Sequence, residues 1–137
     1  MSNRRNMIFG AALIALIGAA VADGQFPHRR EADKHELSVT VDSVMQRTDV
    51  TRLYCRLIGR PHTSQRIDSV SLSLPDGSAI AATDIDPIYF RRSFQWEDES
   101  AMPVELDFPP LDSKVNRLKI TIFTPYGEVS ATHPAAR

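Results

Sequence analysis

The stretch Leu118-Lys119-Ile120-Thr121-Ile122, running on into Phe123-Thr124-Pro125-Tyr126-Gly127, decides the fold. Apolar and polar residues alternate with a period of two, the pattern of a strand with one face in a core and the other toward water. Pro125-Tyr126-Gly127 then turns the chain, and Val129 and Ala131 resume the same spacing, so a closing hairpin is predicted.

Working back toward the N-terminus, the same period recurs. Leu37, Val39 and Val41 predict a first strand ending near Gln46, and Leu53, Cys55 and Leu57 the inward face of a second. Val70, Leu72 and Leu74 make a third, which Pro75-Asp76-Gly77 turns into a short fourth around residues 78–82. Phe90, Phe94 and Trp96 suggest a fifth, and Val104, Leu106 and Phe108 a sixth that Pro109-Pro110 ends, because neither imino acid can donate to a ladder. No segment has a helical period. Seven to eight short strands separated by turn residues predict an all-β, antiparallel sandwich that resembles an immunoglobulin-like domain in architecture; a small β-barrel is the alternative. The resemblance stops at architecture, since one cysteine cannot supply the paired cysteines of antibody domains.

The N-terminus has a different character. Arg4 and Arg5 precede an uncharged run from Met7 to Val21, and Ala20-Val21-Ala22 offers the small residues of a signal-peptidase site. As a helix that run of about 15 residues reaches only about 22 Å, short of the roughly 30 Å of a bilayer's hydrocarbon core. Residues 1–22 are therefore expected to be a signal peptide, with contact to a membrane only if the segment is kept as an anchor. Arg4-Arg5 also fits a twin-arginine export pattern. Residues 23–36, polar and mixed in charge, read as a flexible tether, and 37–137 as the sandwich domain. The expected location is outside the cytoplasm, periplasmic or extracellular.

Charge and cysteine content narrow the partners. Losing Arg4 and Arg5 turns 16 basic residues into 14 against 17 acidic, a formal charge of −3. A mildly acidic domain has no general attraction for nucleic acid. The lone Cys55 cannot form an internal bridge, so the core must carry the stability, and about 115 residues suffice for that.

Chemistry-bearing residues are sparse. Cys55 has core parity, and burial would raise its pKa and block access. His28, His35, His62 and His133 are scattered, without the convergent spacing of a zinc site, and no cofactor motif occurs. Asp84 and Asp86, expected in a loop after the fourth strand, are weak calcium candidates, with Glu97, Asp98 and Glu99 as a second acidic group. The same carboxylates would serve a small hydrolase only if they lined a deep acidic cleft.

Binding candidates are better defined. Arg52, Tyr54 and Arg56 form an outward stripe suited to an anionic partner, unless Glu105 and Asp107 on a neighbouring strand neutralise it. Arg92 has inward parity, and a bulge at Arg91-Arg92 is expected to turn both arginines outward. Trp96 either stacks on a sugar ring or closes one end of the core. The loop from Arg60 to Asp68, containing His62 and Arg66, lies where a rigid sandwich usually places its binding groups. These features predict a non-catalytic binding or protein-interaction module of a bacterial cell envelope, with Arg60 to Asp68, Arg91, Arg92 and Trp96 as its surface. Strand addition at a sheet edge is one mode. A carbohydrate-binding accessory domain using Trp96 and Tyr54 is the alternative.

Overall fold

The computed structural model describes residues 35–134; the predicted signal peptide and residues 23–34 of the predicted tether lie outside them. The described residues form strands and no helix, so none is a helix long and apolar enough to cross a membrane. In chain order the strands are β1 (Ser38–Gln46), β2 (Thr51–Ile58), β3 (Ser64–Gln65), β4 (Ser69–Ser73), β5 (Ala79–Ala81), β6 (Asp84–Asp86), β7 (Phe94–Gln95), β8 (Ala101–Phe108), β9 (Leu118–Thr124) and β10 (Gly127–His133).

Two antiparallel sheets of four strands, ordered β1-β2-β8-β6 and β10-β9-β4-β5, enclose one core, and β3 and β7 form a separate two-stranded ladder. The alternation read from the sequence sets the inner faces. Leu53, Cys55 and Leu57 of β2 and Val104, Leu106 and Phe108 of β8 point inward from one sheet, and Val70 and Leu72 of β4 with Leu118, Ile120 and Ile122 of β9 from the other. Burying each large aliphatic or aromatic side chain contributes roughly 1.5–3 kcal/mol, so this double row is the main source of stability.

The turns follow their residues. Gly77 takes a φ of 93° and donates to Leu74 O at 2.9 Å, while Asp76 Oδ1 accepts from the Ser78 amide at 2.8 Å, closing β4 onto β5. Thr124 pairs with Gly127 across Pro125-Tyr126, the predicted hairpin. β1 has a register break between Val41 and Ser43, and β10 runs beside it, with His133 Nδ1 3.3 Å from Val41 O. A bulged edge is a poor template for further pairing, so this side of the sandwich discourages strand addition.

The structure corrects two readings. Asp84 and Asp86, expected in a loop, lie in β6 and pair opposite Asp107 and Glu105 of β8, because Ile85 between them fills a core position. The expected fifth strand is reduced to Phe94–Gln95, because Arg91 adopts a left-handed φ of 62° that breaks extension. Arg91 and Arg92 are both exposed as expected, but through this turn and not through a bulge in a ladder.

Candidate interaction surface

The loop from Arg60 to Asp68 and the segment from Tyr89 to Trp96 are far apart in sequence, yet they are sewn together by main-chain hydrogen bonds. Ser64 pairs with Gln95 and Gln65 with Phe94. The His62 amide donates to Trp96 O and the Trp96 amide to Thr63 O, each at 2.9 Å, and the Arg91 amide donates to Ile67 O at 2.7 Å. The sequence reads as a loop and a separate fifth strand; in the fold the two segments form one small platform.

Three internal contacts make the platform rigid. Gln65 is only 1% exposed, and both polar atoms of its side chain are bonded: Nε2 donates to His35 O at 2.8 Å and Oε1 accepts from the Arg66 amide at 2.9 Å. His35, at the end of the segment read as a tether, stacks on Tyr126 of the β9–β10 turn, with ring centres 3.7 Å apart. Trp96 is 2% exposed and meets Phe94 edge-on at 5.4 Å. Gly59 lies directly under the indole, where any Cβ would overlap the ring.

Trp96 therefore closes this end of the core and presents no face to a sugar, which corrects its place among the surface candidates. The rings that do face water are Tyr89, 62% exposed, Tyr126, 42%, and Phe123, 37%. Parity could have found only Phe123, which falls on the polar side of β9, since Tyr126 sits at a turn apex. Tyr89 carried no periodic signal.

The charges around these rings are ordered. Arg66 Nε donates to Asp68 Oδ1 at 2.7 Å, and this hydrogen bond raises the Arg66 guanidinium's pKa. Asp68 is itself anchored by its amide to Phe123 O at 2.8 Å, and its carbonyl accepts from Arg91 Nη1 at 3.2 Å. Arg92, an exposed residue, stands over the Tyr89 ring, 4.7 Å from its centre, in a cation–π contact. His62 adopts a φ of 63° and places Nε2 3.0 Å from Asp98 Oδ1.

The other candidates are not brought to this end as free groups. Arg52 is held by Asp107, with Nε to Oδ1 at 2.7 Å and Nη2 to Oδ2 at 3.1 Å, and lies 3.9 Å from Glu105. That forked bond raises the Arg52 pKa and fixes the charge. Arg56 lies 3.6 Å from Asp42. The stripe of Arg52, Tyr54 and Arg56 is thus largely neutralised within the sheet, by the neighbours that the sequence had named for Arg52. Asp84 and Asp86 point to the same outer face, but among the described residues no three metal-ligating side chains converge. Nor do they line either of two open clefts, one of about 960 Å3 between β1 and residues 111–118, the other of about 450 Å3 beside Ile58 and Ser100.

No protein-family model matches the chain, and no curated protein does. Among solved structures the chain is similar to the archaellum periplasmic stator protein FlaG from Sulfolobus acidocaldarius, with 18% identity and a TM-score of 0.45 over 71% of this chain and 99% of that one. It is also similar to the archaellum periplasmic stator protein complex of FlaF and FlaG from the same organism, with 17% identity and a TM-score of 0.40 over 85% of this chain and 99% of that one.

Proposed function

We infer that this chain is an exported, non-catalytic protein-interaction domain of a cell envelope that engages its partner through the β3–β7 end. The observation that carries this reading is the set of exposed rings and arginines, Tyr89, Arg92, Arg91, Phe123 and Tyr126, held on a hydrogen-bonded platform. Tyrosine and arginine are enriched where protein interfaces concentrate their binding energy, and a pre-ordered surface loses less conformational entropy on association. Export is supported by the N-terminal sequence, where the Arg4-Arg5 pair leads an apolar run to a small-residue cleavage site.

Site-specific photo-cross-linking in the native envelope tests the reading. A photoreactive residue placed at Tyr89 or Tyr126 is expected to yield a discrete adduct with another protein chain, and one at Asp49, at the opposite end of β2, is not. Equal labelling at all three positions, or none at Tyr89 and Tyr126, contradicts it.

A further inference from the structure

The segment Asp84-Ile85-Asp86-Pro87-Ile88-Tyr89-Phe90-Arg91-Arg92 carries two acids at one end, two arginines at the other and the most exposed tyrosine near its middle. The fold leaves both charged ends without local compensation. Asp84 and Asp86 sit directly opposite Asp107 and Glu105, a like-charge arrangement that is unfavourable within a sheet, and the one cation in that group, Arg52, is taken by Asp107. Among the described residues neither Asp84 nor Asp86 has a cationic partner, and neither Arg91 nor Arg92 has a carboxylate. β6, only three residues long, is also an outer strand of its sheet.

An isologous two-fold interface requires a surface that complements itself, with residue i meeting residue j and j meeting i. Two copies of this segment approaching antiparallel meet that requirement. With the axis near the middle of the segment, the acidic end of each copy, Asp84 and Asp86, is brought toward the basic end of the other, Arg91 and Arg92, and Tyr89 lies close to the axis. We propose that the chain self-associates as a two-fold dimer through residues 84–92, a second copy supplying the cations that Asp84 and Asp86 lack and the carboxylates that Arg91 and Arg92 lack. The inference rests on reading this end as an interaction surface and names the chain itself as one partner.

Cysteine cross-linking in the full-length chain tests it. In a Cys55→Ala background, Tyr89→Cys is expected to give a disulfide-linked dimer on mild oxidation, and Tyr126→Cys is not. Reversing one pole, by Arg91→Asp with Arg92→Asp or by Asp84→Arg with Asp86→Arg, is expected to lower the dimer yield about tenfold, since like charges then face each other across the interface. Mixing the two reversed chains, each carrying Tyr89→Cys and a different tag, is expected to restore cross-linking as a mixed dimer. Raising the salt to about 1 M, where the screening length is roughly 3 Å, weakens the wild-type dimer. A Tyr89→Cys chain that does not cross-link, or one whose yield ignores both reversals and their mixing, overturns the proposal. If photo-cross-linking at Tyr89 still captures a different protein, the interaction surface stands and the dimer falls; if neither adduct forms, both fall.

Discussion

Cys55 lies 2% exposed between Leu53 and Leu57, and burial, with a smaller contribution from the Asp42 carboxylate, pushes its thiol from 9.0 up to about 12. A folded-state value above the unfolded one stabilises the native state fully below pH 9, and that contribution is lost as pH rises toward 12. Urea unfolding should therefore show wild type losing about 1.4 kcal/mol per pH unit in that window relative to Cys55→Ala, whose other titrating groups are the same. A soluble thiol reagent at pH 8 should label Cys55 only once the domain is unfolded. Parallel pH profiles of the two proteins would contradict the buried-thiol account. At the platform end, Trp96→Ala should cost about 3–5 kcal/mol by emptying the space the indole fills. Gly59→Ala should cost about 1–3 kcal/mol by forcing that ring aside, and thermal melts of both variants check the pair. A Trp96→Ala domain of unchanged stability would return the indole to the surface.

The long strands were legible because each has one inner and one outer face, and strict alternation along Leu53-Tyr54-Cys55-Arg56-Leu57 or Leu118 to Ile122 reports that directly. β3 and β6 were not, since two or three residues cannot display a period, and Asp84 and Asp86 read as a loop when only Ile85 enters the core. The platform itself arises from pairing between β3 and β7, a long-range contact that no local pattern encodes. Its charged groups, His62, Arg66, Arg91 and Arg92, stand out in composition, whereas its exposed rings, Tyr89, Phe123 and Tyr126, do not, because a single aromatic residue outside a strand's inner face carries no pattern. Gln46 shows what sequence cannot give: its Nε2 donates to Ser113 O at 2.9 Å and its Oε1 accepts from the Val115 amide at 3.0 Å, clamping the connection between β8 and β9 to the end of β1. Gln46→Ala should cost about 1–2 kcal/mol through two lost hydrogen bonds and speed amide exchange at Val115. Unchanged exchange there would mean that the clamp does not hold the connection.

Across the whole domain, the buried core and the groups proposed to face a partner are separate. The core runs between two sheets whose outer charges, Arg52 with Asp107 and Arg56 with Asp42, neutralise one another, while Tyr89, Arg91 and Arg92 stand outside it. Replacing exposed groups away from the core usually alters stability by less than about 0.5 kcal/mol. The measurement that tests the central claim most directly is the adduct yield from a photoreactive residue at Tyr126 in a Tyr89→Ser, Arg91→Ala, Arg92→Ala chain, compared in the native envelope with the otherwise wild-type chain. An intact melting midpoint with the adduct reduced about tenfold or more is the predicted result, since these side chains are of hot-spot types and lie outside the core. An undiminished adduct from a stably folded triple variant would contradict the claim that this end of the sandwich is where the protein works.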